Sequence, residues 1–138
     1  MKVARVDTWA AGLKDKPGNL AGKLKALAGA GANLEFIIAR RTPEQPGRGV
    51  VFVTPIRGAK AARAARKEGF KKTTSLHTVR IEGPDRRGVV GRLTAALAEA
   101  GVNLRGLSAA AIGGCFIAHI AVDTGASAAK AVRVLKGL

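Results

Sequence analysis

Apolar and polar positions along the chain predict one order of elements that occurs twice. A strand-like run covers residues 2–9, and in His77–Glu82 apolar residues alternate with polar ones, as in a half-buried strand. Apolar residues at i, i+1, i+4, i+7 and i+8 from Leu20 predict an amphipathic helix after the first strand. A less regular pattern from Val90 predicts the corresponding helix after the second strand. Each unit therefore begins with a strand followed by a helix.

The second half of each unit is predicted to form a hairpin followed by another helix. The hairpin strands are apolar runs separated by loops that contain Gly, or both Gly and Pro. A further strand over residues 71–76 follows the second helix of the first unit only, so we expect seven strands in total. The predicted hairpin strands are residues 33–40, 50–54, 102–110 and 115–122, and the predicted second helices are residues 58–68 and 126–136.

An internal repeat relates the two units. Residues 15–34 align with residues 85–104 at a constant offset of 70 without a gap, and nine of the twenty aligned positions are identical. The repeat and the order of elements predict an α+β fold of two ferredoxin-like βαββαβ modules in tandem, each with an antiparallel sheet and both helices on one face. We expect the modules to cover residues 1–75 and 76–138, with the second module lacking its last strand.

The composition is that of a folded globular protein and excludes several classes of protein. Of 138 residues, 47% are hydrophobic and 24% are charged, which argues against disorder. Cys115 is the single cysteine, so an intramolecular disulfide is impossible. No apolar stretch approaches the length of about 18 residues that a membrane-spanning helix needs, and residues 1–13 lack the apolar run of a signal peptide. We therefore expect a cytoplasmic protein with no membrane partner.

The paired motifs DKPGNL with GANL and DRRGVV with GVNL resemble the ACT domain family. This family consists of small βαββαβ modules that bind amino acids and regulate metabolic enzymes or transcription, and the resemblance covers nearly the whole chain as two tandem copies. Two loop positions depart from the family pattern: Arg87 stands where a proline is common, and Asn19 stands where an aliphatic residue is usual. The resemblance implies a non-catalytic amino-acid sensor or regulatory protein. A regulatory subunit of an amino-acid biosynthetic enzyme is an alternative.

The loop before each first helix has the chemistry to bind a small carboxylate such as an amino acid. A glycine at a strand-to-helix turn lets backbone approach a ligand, and the free N–H groups of a helix N-terminus attract a carboxylate. An Asp can then bind the ammonium group, while an Asn offers both a donor and an acceptor. The alternative is purely structural, with Asp as a cap, Gly as a turn and Asn as a helix-exit residue. The candidate ligand-binding residues are Asp15, Gly18, Asn19, Asn33, Asp85, Gly88 and Asn103.

Of the two loops, we expect the first to be the better site. Its sequence DKPGNL keeps the loop proline, Pro17, whereas Arg87 crowds or recharges the second loop.

Side chains that would indicate catalysis or a metal site are scarce. His77 and His119 are the only histidines, and no two carboxylates fall on one predicted surface for acid–base chemistry. Cys115 and His119 lie on the same face of a predicted strand, but two ligands without a third make a poor metal site. We interpret this pair as a buried thiol near an imidazole at an interface. We expect no enzyme activity, metal or cofactor.

The chain is strongly basic, with 24 Lys and Arg against 9 Asp and Glu and a net charge of +15, which favours anionic partners. On the predicted helix over residues 58–68, Lys60, Arg63 and Lys67 form a stripe along one face. A basic protein that binds nucleic acid through this stripe is an alternative function, and a solvated helix face is the simpler interpretation. Aromatic residues make up only 4% of the chain and do not interleave with basic ones, so base stacking is unsupported. We do not expect nucleic acid to be a partner.

The predicted hairpins have apolar residues at successive positions, which places apolar side chains on both faces of each sheet. Residues 36–39, 50–53 and most of 115–122 show this pattern. Because the helices cover only one face, the other face needs a partner. We therefore predict a homodimer that buries the helix-free face or the strand edge left open by the missing last strand.

Overall fold

The computed structural model describes residues 1–138, which form eight strands and four helices in two compact units. The first module is residues 7–73, and the second module combines residues 1–6 with residues 74–138. None of the helices is long and apolar enough to cross a membrane. In chain order the elements are β1 (Lys2–Val6), β2 (Trp9–Lys14), α1 (Asn19–Gly29), β3 (Phe36–Arg41), β4 (Arg48–Thr54), α2 (Ala59–Lys67), β5 (Lys71–Lys72), β6 (His77–Pro84), α3 (Val89–Glu99), β7 (Gly106–Ile112), β8 (Cys115–Val122) and α4 (Gly125–Lys136).

The first module is a four-stranded antiparallel sheet in the order β3-β4-β2-β5, with α1 and α2 packed on it. The helix α2 buries only small side chains, Ala61 and Ala65, which allows its backbone to approach the sheet closely. The helix α1 ends where Gly31 adopts a φ of 88°, a left-handed conformation that glycine takes up readily. The largest side chains of the core are Trp9, Leu13, Leu27, Val51, Val53 and Phe70.

The second module repeats this architecture, with the strand order β1-β6-β8-β7. Alternate residues of β6 and β8 face the core, where they pack against α3 and α4. The bounds of β8 are those predicted from the sequence, and the predicted α+β fold class with two ferredoxin-like modules is confirmed. The large buried side chains are Val79, Ile81, Leu93, Leu97, Phe116, Ile120, Val122 and Leu135.

The N-terminal run predicted as a single strand over residues 2–9 divides into two strands that join different sheets. β1 pairs antiparallel with β6, from Lys2 opposite Glu82 to Val6 opposite Thr78, and it occupies the position of the missing last strand. The expectation of seven strands is therefore wrong, because the chain has eight and both sheets are complete. The pairing satisfies backbone groups of β6 that would otherwise form an open edge.

The same pairing changes the division of the chain into modules. We expected modules over residues 1–75 and 76–138, whereas the first six residues belong with the C-terminal part of the chain. The boundary at the other end of the first module lies between Thr73 and Thr74, close to the expected position.

Candidate functional site

Both strand-to-helix loops have the geometry expected of a backbone anion site. Gly18 and Gly88 are the N-cap residues of α1 and α3, with left-handed φ values of 87° and 78° that favour glycine. Neither helix has a side-chain cap or an acidic residue in its first turn. The N–H of the first residue donates to a loop carbonyl, from Asn19 to Lys16 at 3.3 Å and from Val89 to Arg86 at 3.0 Å, so the N–H groups of the next two residues are the ones left for a ligand. Asp15 and Asp85 therefore do not cap these helices, and the purely structural interpretation of these two residues as caps is not realised.

In the first module, the carboxylate of Asp15 is already engaged. Its Oδ2 accepts a hydrogen bond from Nε of Arg41 at 2.9 Å, and its backbone N–H donates to the carbonyl of Gly47 at 3.0 Å. The side chain of Asn19 turns back on the loop, where its Oδ1 accepts a hydrogen bond from the backbone N–H of Lys14 at 3.1 Å. The Asp15 side chain thus binds the hairpin beside the loop, and the Asn19 side chain binds the backbone at the end of β2.

In the second module, the equivalent carboxylate is free. The backbone N–H of Asp85 donates to the carbonyl of Gly114 at 2.8 Å, as in the first module. At the repeat offset of 70, however, the position of Arg41 is taken by Ala111, which has no charge to offer. The side chain of Asp85 is exposed and forms no ion pair. The two loops therefore have the same backbone conformation, but only in the second loop is the Asp carboxylate free to bind a ligand.

Three arginines lie close to Asp85 along the chain. Arg86 and Arg87 lie in the loop itself, and Arg92 lies in the first turn of α3. The guanidinium of Arg92 donates to the carbonyl of Arg87 at 3.3 Å and lies 3.9 Å from where a Cβ on Gly88 would stand. The loop segment thus combines one acid, a helix N-terminus without a side-chain cap and three basic residues.

The two candidate asparagines lie at the other end of each module. Asn33 and Asn103 follow α1 and α3, whereas the Asp residues precede these helices. Each helix has 11 residues, which at 1.5 Å per residue is about 16 Å. The structure therefore brings Asp15 together with Gly18 and Asn19, and Asp85 with Gly88, but it does not bring either Asp together with the Asn of its own module.

The sequence analysis missed Arg41, whose role depends on the register of the hairpin that follows α1. Arg41 lies opposite Gly49 at the end of the β3–β4 pair, next to Gly47, which accepts the backbone N–H of Asp15. Extending the repeat alignment past residue 34 would have revealed the difference between Arg41 and Ala111.

A second charged cluster lies on the seam between β1 and β6. Nη2 of Arg80 is 2.7 Å from Oε2 of Glu82, and Nζ of Lys2 is 3.5 Å from Oε1 of the same carboxylate. The hydrogen bond from Arg80 and its charge, with a smaller contribution from Lys2, hold the pKa of Glu82 below its usual value. This cluster ties the N-terminal strand to the second module by charge as well as by backbone hydrogen bonds.

The interpretation of Cys115 as a buried thiol is wrong, because Cys115 is exposed while His119 is buried. Cys115 is the first residue of β8, next to the Gly113–Gly114 turn, where the hairpin projects beyond the core. The two residues are four positions apart on β8, a separation of about 13 Å at 3.3 Å per residue. No group of three potential metal ligands is found in the chain.

Comparison with protein families matches the ACT domain to residues 77–132, which extend from the start of β6 into α4. The N-terminal strand β1, which completes the same sheet, lies outside the matched range. Among curated protein sequences, none matches the chain significantly.

Solved structures match nearly the whole chain. A protein from Bacteroides thetaiotaomicron aligns over 98% of this chain and 89% of that one, with 19% identity and a TM-score of 0.80. The regulatory subunit of aspartate kinase from Thermus thermophilus, in a ligand-free form, aligns over 99% and 96%, with 21% identity and a TM-score of 0.64. A structure of aspartokinase alpha and beta subunits aligns over 99% and 96%, with 20% identity and a TM-score of 0.63.

At these identities the structural matches establish a common fold, and the family match identifies the second module. The resemblance found in the loop motifs is confirmed for residues 77–132, which match the ACT domain, and the first module has the same strand order and helix placement as the second.

Proposed function

We propose that this protein is a non-catalytic, cytoplasmic regulatory protein that binds an amino acid or a similar small carboxylate at the loop before α3. The observation that carries the proposal is the free carboxylate of Asp85, which stands beside the left-handed Gly88 at the open N-terminus of α3. This loop belongs to the module that the ACT family model matches. The partner is an enzyme of amino-acid biosynthesis, an inference supported by the fold shared with the regulatory subunit of aspartate kinase.

The chemistry of the loop suits a zwitterion. The ligand carboxylate meets the N–H groups of Val90 and Gly91 in the first turn of α3, where the helix dipole adds a partial positive charge. The ligand ammonium binds Asp85, which has no competing cation in contact. Arg86, Arg87 and Arg92 add positive charge around the loop, so a second carboxylate on the ligand side chain strengthens binding and a cationic side chain weakens it.

The pairing of Asp15 with Arg41 reverses our preference for the first module. A ligand ammonium at Asp15 has to compete with a guanidinium that is already hydrogen-bonded at 2.9 Å. Both partners are partly exposed, so the pair is weak enough to be exchanged, but the free acid of the second module binds without that competition. The asparagines Asn33 and Asn103 contribute only if another copy of the chain supplies them.

The protein is also proposed to form a homodimer, by a different route from the open edge that we expected. That edge of β6 is covered by β1. The edges of the sheet are now β1, which carries Lys2 and Arg5, and β7. The sequence of β7, GLSAAAI, has no charged residue, and Leu107 and Ile112 are 42% and 83% exposed. An uncharged, exposed edge strand favours pairing with another strand. The corresponding edge strand β3 carries Arg40 and Arg41.

The experiment is a thermal-shift screen of the twenty amino acids against three forms of the full chain: wild type, Asp85→Asn and Asp15→Asn. At ten times its Kd a ligand adds about 1.4 kcal/mol of stability, which is a shift of several degrees. We expect a response in wild type and in Asp15→Asn and its loss in Asp85→Asn. If no amino acid raises the Tm at tens of millimolar, or if Asp85→Asn responds fully, the proposal fails.

A further inference from the structure

The single tryptophan of the chain lies beneath two cations in the first module. The guanidinium carbon of Arg66, in the last turn of α2, is 5.3 Å from the centroid of the Trp9 ring. Nζ of Lys72, on β5, is 5.9 Å from the same centroid. Trp9 itself is buried, with 3% of its surface exposed. The ligand-binding role proposed for the second module does not involve these residues.

A cavity of about 400 Å³ opens beside this arrangement, at the turn from α2 to β5. The buried side chains of Trp9 and Phe70 lie at its base, and Arg66, Lys71 and Lys72 form its cationic rim. A fourth cation stands at the same turn, because Nζ of Lys23 donates to the carbonyl of Glu68. Three basic side chains from α2 and β5 therefore line one concave surface, and Lys23 of α1 lies at the adjoining turn.

The positive charge at this surface is largely uncompensated. Residues 60–72 contain six basic residues and a single acid, Glu68. Of the cations at the cavity, Lys72 has an ion pair, with Asp7 at 3.4 Å, and both partners are well exposed there. Arg66 and Lys67 are favourably placed against the negative end of the α2 dipole, which explains two of the charges. It does not explain Lys71, Lys72 and Lys23.

Stacking on an indole prepares a cation to bind an anion. It restricts the rotamers of the long side chain and so reduces the entropy that binding would cost. It also leaves the N–H donors of a guanidinium free at the edge of the group, where they match oxygen pairs of carboxylate or phosphate. Arg66 is held in this way and has no acidic partner in the structure.

We propose that this cavity binds a compact, multiply charged anion, through phosphate groups or several carboxylates, with Arg66, Lys71 and Lys72 as its principal contacts. A single zwitterionic amino acid fits poorly, because the cations repel its ammonium group and one carboxylate leaves most of the charge unmatched. A nucleic acid strand fits less well than a compact anion, since the only aromatic rings at the cavity, Trp9 and Phe70, are buried and present no free face for base stacking.

The test uses the fluorescence of Trp9 in the full chain, titrated with tripolyphosphate and with citrate at constant ionic strength. We expect saturable binding with a Kd below about 1 mM for at least one of the two anions. Tighter binding of tripolyphosphate assigns the site to phosphate groups, and tighter binding of citrate assigns it to carboxylates. Calorimetry provides a second readout, because the variants below change the surroundings of the fluorophore.

The matched variants are Arg66→Gln and Lys136→Gln, which each remove one positive charge from the last turn of the second helix of a module. Arg66→Gln should weaken anion binding about tenfold or more, whereas Lys136→Gln, in the last turn of α4, should leave it unchanged. Equal binding by wild type and Arg66→Gln, or no saturable binding of either anion, overturns the proposal. A random-sequence DNA duplex that displaces both anions and depends on Lys60 and Arg63 overturns it in favour of a nucleic-acid surface.

Discussion

Val3 of β1 lies directly opposite Ile81 of β6, and both side chains are buried in the core of the second module. Val3 is thus separated from its strand partner by the whole first module in sequence. The matched ACT domain begins at residue 77, so it depends on a strand outside its own range to close its sheet and cover its core.

This dependence predicts that a change in the first six residues destabilises the second module selectively. Val3→Asp places an unpaired charge in the core and should lower the stability of the second module by at least about 2 kcal/mol. Ala4→Asp is the matched control, because Ala4 is the exposed neighbour of Val3 on the same strand. Circular dichroism follows both modules during denaturation, while fluorescence of Trp9 follows the first module only. An early circular-dichroism transition with an unchanged fluorescence transition is expected for Val3→Asp, and coincident shifts in both signals would argue against it.

The charged seam between β1 and β6 predicts a pH dependence of stability. The folded state holds the pKa of Glu82 below its usual value, mainly through Arg80, so ionised Glu82 stabilises the folded chain above the unfolded pKa of about 4.3. That contribution is lost as pH falls from there through the lower folded pKa. Glu82→Gln should therefore be less stable than wild type near neutral pH, and the difference should vanish in acid. Denaturation of both proteins between about pH 3 and pH 6 measures this difference in stability. A difference that does not change with pH contradicts a stabilising role for ionised Glu82.

Hydrophobic periodicity and the 70-residue repeat were sufficient to predict the fold class and the order of elements. Both signals depend only on residues that are close together in the sequence. Accordingly, the repeated helices α1 and α3 have equal lengths, and β8 begins and ends with its apolar run. The partner of β1 was not predictable in this way. Lys2 and Glu82 pair across 80 positions, and the break between β1 and β2 falls at Asp7 and Thr8, without a glycine or proline to mark it.

For the candidate site, the sequence was sufficient to predict the backbone turns but not the side-chain contacts. The motif identified both loop glycines, whose left-handed φ values the structure shows, because a tight strand-to-helix turn restricts the residue type. The side-chain partners of Asp15 and Asp85 were not predictable, because they depend on which hairpin residue reaches back to each loop. Arg41 does so in the first module and Ala111 takes its place in the second.

Exchanging the residues at positions 41 and 111 should exchange the ligand-binding capacities of the two loops. Wild type should bind one amino acid per chain, and Arg41→Ala should free Asp15 and raise the stoichiometry toward two. Because the ion pair is partly exposed, its loss should lower the stability by no more than about 1 kcal/mol. Conversely, Ala111→Arg should supply a guanidinium to Asp85 and weaken binding at the second module. Calorimetric stoichiometry checks both changes. An Ala111→Arg variant that binds as tightly as wild type would remove the reason for preferring Asp85.

The uncharged edge of β7 predicts a dimer that a single lysine disrupts. Wild type should have the mass of a dimer by light scattering at micromolar concentration, since β7 pairs with β8 on one side only and its other edge offers seven residues without a charge. Ala109→Lys, at the centre of β7, places like charges close together across a twofold pairing of these strands and should give a monomer. Ala39→Lys is the matched control, because Ala39 is exposed at the equivalent position of β3. A monomeric mass for the wild type would contradict the proposed dimer. If Ala39→Lys dissociates the dimer and Ala109→Lys does not, the two copies pair along β3 instead.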